Sequence, residues 1–189
     1  MFSSNLVRLG GLAAVAAGAL LLIADLWSLI IELLVGDTEN FSEVAVSTSW
    51  AVISGMYLIG VLLLLVALVG LYARQAEAAG VLGLVGFLAA LVGTGLLAGM
   101  FWTLAFVAPS VAVEAPAFLD AEPTGLLGFG FLFSGIVVGL GWALFGVATI
   151  RARVFPRAAA IVLTVGALLG HSAPSSGRAR SPSRPGPRR

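Results

Sequence analysis

Four long, almost uninterrupted apolar runs constrain the fold of this chain more than any other feature. They lie at about residues 7–35, 49–73, 80–108 and 125–150, and a shorter run covers 158–170. A helix rises 1.5 Å per residue, so about 20 apolar residues cross the roughly 30 Å hydrocarbon layer of a bilayer. The sequence therefore predicts an all-α integral membrane bundle of four spanning helices, with a fifth segment too short to span.

The composition argues against a water-soluble fold. Hydrophobic residues make up 60% of the chain and charged residues 10%, whereas a soluble domain has about 25% charged residues. The absence of cysteine excludes disulfides, thiolate catalysis and cysteine-ligated metal clusters. Because the first run is far longer than a signal-peptide core and no small-x-small cleavage site follows it, we expect it to be a retained helix.

Arginines and acids alternate between successive loops, which predicts the orientation of the helices. Arg8 precedes the first helix, Arg74 follows the second, and Arg151, Arg153 and Arg157 follow the fourth. Arginine-rich short loops stay in the cytoplasm. We therefore expect a multi-pass protein of the cell membrane whose N-terminus is cytoplasmic. The two loops without arginine, expected outside, hold six acids: Asp37, Glu39, Glu43, Glu114, Asp120 and Glu122.

The chain repeats itself at an offset of 75 positions. The sequence LWSL at 26–29 matches FWTL at 101–104, and glycines at the starts of the first and third helices match in the same way. This pattern predicts two copies of one helical hairpin, both in the same orientation. The short segment 158–170 resembles the beginning of a third copy. If that segment spanned, five tail arginines would lie outside, so we expect it to remain on the cytoplasmic side.

Asp25 is the main functional lead, because its position falls within the hydrocarbon zone. It lies roughly 16 Å below the outer end of the first helix at 1.5 Å per residue, where a charge costs at least about 2.5–3.5 kcal/mol. Three interpretations of Asp25 remain open: it forms a structural hydrogen bond, it is a proton or cation site, or it is a nearly neutral substitution without a role. The repeat places Met100 at the equivalent position, so the hairpin itself does not require an acid there. By depth, the candidate members of an intramembrane polar site are Asp25, Ser28, Tyr57, Thr94, Thr103 and Ser134.

Small residues indicate where helices approach each other closely. A stripe of small and polar residues follows helical spacing along the first helix and is expected to face other helices; it consists of Gly11, Ala14, Gly18, Asp25, Ser28 and Glu32. Three small-xxx-small pairs predict further contacts within the bundle or between protomers: Gly95 with Gly99, Gly135 with Gly139, and Gly166 with Gly170. The expected anchors at the membrane boundaries are Trp50, Arg74, Arg151, Arg153 and Arg157.

The last segment, 171–189, differs in composition from the transmembrane domain 1–170. It is built almost entirely of serine, proline, arginine, glycine and alanine, a composition that predicts disorder. One interpretation is a cytoplasmic basic tail that contacts anionic lipids. The other is that the reading frame slips near Gly170 and the tail replaces a sixth helix.

The overall pattern of residues 1–170 resembles the many uncharacterised small multi-pass membrane proteins of GC-rich bacteria, a resemblance that implies no activity. The single histidine lies in the tail, and no catalytic constellation occurs at membrane depth. We therefore expect no enzymatic activity, no cofactor, no metal and no nucleic-acid partner. The sequence favours a scaffold or accessory subunit that binds the bilayer and itself or another membrane subunit. The alternative is a small transporter or channel-like protein that uses Asp25 as a proton or cation site.

Overall fold

Helices account for nearly all of the described chain. The structure is a computed structural model that describes residues 4–35 and 40–152, and no strand occurs in these ranges. The predicted segment 158–170, the tail 171–189, Arg153 and Arg157 lie outside the described residues. The elements are α1 (Ser4–Val35), α2 (Phe41–Ala45), α3 (Thr48–Trp102), a π-helical segment (Thr103–Val107), α4 (Ala108–Glu114), α5 (Pro116–Leu119) and α6 (Gly125–Ala152).

Three helical stretches are long and apolar enough to cross a membrane. They cover Asn5–Leu34, Thr48–Glu114 and Gly125–Ala152. Their surfaces carry many exposed leucine, isoleucine, valine and phenylalanine side chains. Exposing so much apolar surface to water is unfavourable, whereas contact of the same surface with lipid is not. The chain is therefore a helical membrane protein.

The second stretch reverses direction at a single residue. The sequence predicts an interruption between residues 73 and 80, but helical structure continues up to Gly80, whose φ of 57° and ψ of −153° favour glycine. The ring of Tyr72 stacks on that of Phe87 at 4.2 Å. Near the other end, Trp50 Nε1 donates a hydrogen bond to the Leu104 carbonyl at 3.1 Å. Thus α3 consists of two antiparallel arms, a first arm at 48–79 and a second arm at 81–102.

Close backbone approaches join α1 to the first arm of α3. A methyl group at Gly10 would lie 2.5 Å from the Cα atom of Gly70, so the two helices touch through bare backbone at this point. Further along, a methyl group at Gly60 would meet the side chain of Leu21. The helices run antiparallel, since positions early in α1 meet positions late in the arm.

The second arm and α6 pack in the same manner. A methyl group at Gly141 would lie 2.5 Å from the backbone of Ala89 and Ala90, and one at Gly93 would lie 2.7 Å from the Cα atom of Val138. The main hydrophobic core forms where both arms meet α6. It comprises Leu68, Ala90, Val138, Trp142 and Phe145.

The two loop regions at the opposite end from Gly80 dock on each other. Asp120 accepts hydrogen bonds from the backbone N–H and the hydroxyl of Ser42, both at 2.8 Å.

The sequence predicts that the third helix ends near residue 108. Instead, helical structure continues to Glu114, since the π-helical segment leads directly into α4, which has Pro109 in its first turn. A small apolar cluster unites the two regions: Ala45, Ala108 and Ala112 with Phe41, Trp50 and Leu119.

Candidate intramembrane polar site

Asp25 is held by a tyrosine from the neighbouring helix. The Tyr57 hydroxyl donates a hydrogen bond of 2.5 Å to Asp25 Oδ1, and the Ser28 hydroxyl, one turn further along α1, also interacts with Tyr57. The Tyr57 ring stacks on Phe101 of the second arm, with the centroids 4.8 Å apart and the planes 12° from parallel. The structure therefore brings together three predicted members of the polar site, and the tyrosine links α1 to both arms of α3.

The Asp25 side chain nevertheless faces outward from the bundle. Its residue is exposed, and so are the flanking side chains of Leu22 and Leu26. At its depth, the surroundings of an exposed side chain are lipid or another protein. The Tyr57 hydrogen bond satisfies part of the carboxyl group but does not cover it.

The stripe on α1 also points away from the bundle, which differs from the prediction that it faces the other helices. Gly11 and Gly18 are exposed, and a methyl group at either would have no neighbour within 4 Å. Positions one residue earlier face the first arm instead, because an adjacent line of small side chains allows closer packing. That buried line consists of Gly10, Ala13, Ala17 and Ala24.

The other predicted polar residues form separate contacts. The Thr94 hydroxyl is fully buried, donates to the Ala90 carbonyl at 2.7 Å and accepts from Trp142 Nε1 at 2.9 Å. Thr103 and Ser134 donate to carbonyls of their own helices, as membrane-helix hydroxyls commonly do. None of these three hydroxyls forms a hydrogen bond with Asp25.

An apolar groove lies between the second arm and α6, at the positions that the repeat pairs with the Asp25 region. Met100 and Thr103, the counterparts of Asp25 and Ser28, line this groove of about 270 Å³ together with Gly99, Gly130 and Ser134. Both hydroxyls in its wall are already bonded within their helices. The groove therefore lacks the polar character of the Asp25 site.

The predicted glycine pairs do not mark the contacts between the second arm and α6. A methyl group at Gly95, Gly99 or Gly139 would have no neighbour within 4 Å, and Gly135 is half-buried. The backbone contacts are made by Gly86, Gly93 and Gly141 instead. Gly86 and Gly93 are seven residues apart, which is also a helical repeat, so glycine spacing alone did not distinguish the face that packs against α6.

The boundary anchors lie near the two ends of the helices. Trp50 is half-buried in the cluster of the loop regions, with its ring edge-on to Phe41 at 5.0 Å, so it packs against protein as well as facing the boundary. Arg74 and Arg151 are exposed near the end where α3 reverses. The loop regions that contain Glu43 and Asp120 lie at the opposite end.

Trp142 and Gln75 are the largest of the buried residues with polar groups that were not identified from the sequence. Trp142 is recognisable in retrospect, because a buried indole N–H in an apolar helix usually has a hydrogen-bond partner. Gln75 is fully buried, and neither of its amide atoms has a partner within residues 4–35 and 40–152. Its only sequence signal is an amide side chain at the end of an apolar run.

Comparison with known proteins does not guide the interpretation of the polar site. Comparison with protein-family models, curated proteins and solved structures gave no match to this chain. Within the described residues, no three histidine, cysteine or acidic side chains come together as a metal site. What the arrangement offers chemically is one carboxyl group, held by a phenol, on the lateral surface of a membrane helix.

Proposed function

We propose that this protein is a non-catalytic scaffold or accessory subunit of the cell membrane that self-associates through the outward-facing stripe of α1. The observation that carries the proposal is the exposure of Asp25 on the lateral surface of that helix. An isolated copy would present this carboxyl group to lipid, at a cost of at least about 2.5–3.5 kcal/mol if charged. A second helix packed over the stripe removes the group from lipid and can supply a hydrogen bond.

The small residues of the stripe favour such an interface. Gly18 and Gly11 have open space in front of them, so another helix backbone can approach closely and gain van der Waals contacts. In the most apolar part of α1 only 11% of residues are buried, against 33% in each of the other two spanning stretches. Of the three, α1 has the smallest buried fraction in its most apolar part.

The fold proposed for the membrane is a four-helix bundle made of two repeated hairpins. The reversal at Gly80 supports four crossings: α1, the two arms of α3, and α6. The register of the contacts supports the repeat, since Gly10 meets Gly70 in the first hairpin and Gly86 meets Phe145 in the second. Moving the first contact along by 75 positions gives residues 85 and 145, within one residue of the second contact.

The distribution of charge supports an N-terminus in the cytoplasm. Arg8, Arg74 and Arg151 lie at the end of the bundle where α3 reverses, and the acidic loop regions dock on each other at the opposite end. Arginine-rich ends remain on the cytoplasmic side. The acidic loop regions are therefore assigned to the outside.

Transport is the second candidate function. The carboxyl group of Asp25 is reachable from the side of the bundle and is paired with a phenol, and such a pair can exchange a proton. Intramembrane carboxyl groups are found in proton and cation pathways. Under this interpretation a second copy would complete the wall of the path.

Substitutions at Asp25 separate the two functions. In Asp25→Asn the amide keeps a hydrogen-bonding group, so we expect self-association measured by native mass spectrometry from lipid nanodiscs to change little. In Asp25→Leu the interhelical hydrogen bond is lost and the monomer becomes more stable in lipid, so association should weaken about 3- to 30-fold, corresponding to roughly 0.6–2 kcal/mol. Unchanged association of Asp25→Leu would contradict the scaffold proposal.

The same variants give the result expected for transport. A pH-dependent ion flux in proteoliposomes that wild type supports and Asp25→Asn abolishes would establish the second candidate. Tyr57→Phe tests the pair itself, because it removes the phenolic donor and leaves the carboxyl group in place, so the flux should fall if the phenol takes part in proton exchange.

A further inference from the structure

An open groove with two arginines lies between α1 and the first arm of α3, at the end where α3 reverses. Its volume is about 660 Å³. Its lining contains no acid. The residues are Val7, Arg8, Gly11, Leu12, Val15 and Arg74.

The floor of the groove leaves room for a bulky polar group between the arginines. Gly11 has no side chain, and a methyl group there would have no neighbour within 4 Å. Guanidinium groups donate paired hydrogen bonds to phosphate oxygens and keep their charge at any physiological pH. Arg8 and Arg74, both exposed, therefore form a cationic pair suited to a phosphate group.

The groove also continues into apolar surface toward the middle of α1. Leu12 and Val15 are 61% and 74% exposed, and Leu22, two turns beyond Val15, is 61% exposed. A ligand that combines an anionic head with hydrocarbon chains matches a cationic surface that is continuous with an apolar one. A free phosphate would use only the arginine end.

The second hairpin has no such groove at the equivalent positions. Moving Arg8, Gly11 and Arg74 along by 75 positions gives Gly83, Gly86 and Thr149, and all three are buried. There, Gly86 meets the backbone of Phe145 directly. The groove is therefore a property of the first hairpin and does not follow from the hairpin fold itself.

We propose that this groove binds the headgroup of an anionic phospholipid, with the phosphate between Arg8 and Arg74 and the acyl chains along Leu12 and Val15. Basic pockets between membrane helices on the cytoplasmic side are suited to such headgroups. The groove lies at the opposite end of α1 from Asp25, but it shares Gly11 with the stripe, so lipid retention and self-association are measured separately. It adds a specific lipid to the partners of this protein.

Retention of lipid by the full chain tests the proposal. The protein is reconstituted in nanodiscs of phosphatidylcholine and phosphatidylglycerol, and the lipids that remain bound on release are counted by native mass spectrometry. We expect wild type to retain phosphatidylglycerol in preference to phosphatidylcholine. Arg8→Gln and Arg74→Gln should each lower that preference about fivefold, the factor corresponding to about 1 kcal/mol per arginine. Arg151→Gln, an exposed arginine near the same end but outside the groove, should leave it unchanged.

A second variant tests the space instead of the charge. Gly11→Leu fills the groove without removing an arginine and is expected to lower retention as well, while circular dichroism reports an intact helical fold. Inorganic phosphate added in excess should not displace the lipid. Equal losses in Arg151→Gln and Arg8→Gln, displacement by phosphate, or no preference in wild type would overturn the proposal.

Discussion

Replacing Gly141 with alanine is expected to destabilise the bundle by about 1–3 kcal/mol, the usual range for overpacking a close contact. The added methyl group would lie 2.5 Å from backbone atoms of both Ala89 and Ala90. Backbone in the middle of a helix cannot rotate aside as a side chain can, so the second arm and α6 must separate. The change is measured as a shift in the unfolding transition in mixed micelles of increasing denaturing detergent.

Gly139→Ala is the matched control for this experiment. It lies two residues earlier on α6, and its methyl group would have no neighbour within 4 Å. Removing a helical glycine favours the helix by up to about 1 kcal/mol, so stability should stay constant or rise. A loss in Gly139→Ala as large as that in Gly141→Ala would show that the second arm and α6 do not pack as described.

The second large effect is expected at Gly10, where α1 meets the first arm. In Gly10→Ala the methyl group would lie 2.5 Å from the Cα atom of Gly70, and we expect a loss of similar size, about 1–3 kcal/mol. In the adjacent Gly11→Ala the methyl group meets open space, so folding stability should be unaffected. The same detergent titration measures both variants.

Comparing Gly10→Ala with Gly11→Ala tests which face of α1 packs against the rest of the bundle. Adjacent residues differ by 100° around a helix, since 3.6 residues make a turn. If Gly11→Ala destabilises the fold and Gly10→Ala does not, the stripe faces inward and the proposed interface with a second copy is lost.

The sequence alone predicts the helical membrane class and places Tyr57 among several candidate partners of Asp25, for simple physical reasons. Apolar run length specifies which segments can cross a bilayer. Depth counted at 1.5 Å per residue placed Tyr57 level with Asp25, and the structure joins these two side chains by a hydrogen bond. The same count also nominated Thr94, Thr103 and Ser134, which form hydrogen bonds elsewhere. Depth limits the candidates, but only the rotation of each helix selects among them.

Helix rotation was the part that the sequence could not predict. Gly10 and Gly11 are adjacent, and both begin lines of small residues along α1, so composition favours neither face. Packing selects the line of Gly10, Ala13 and Ala17. The docking of Asp120 on Ser42 was equally unpredictable, because it joins residues 78 positions apart whose loops give no periodic signal.

The most direct test of self-association through the α1 stripe is site-specific cross-linking in the native membrane. The chain contains no cysteine, so Gly18→Cys places its only thiol on the proposed interface. Leu140→Cys is the control, because Leu140 is 60% exposed on α6, away from the stripe. We predict that oxidation yields disulfide-linked dimers of Gly18→Cys and few of Leu140→Cys. Equal cross-linking at the two positions, or none at Gly18, would contradict the proposed interface.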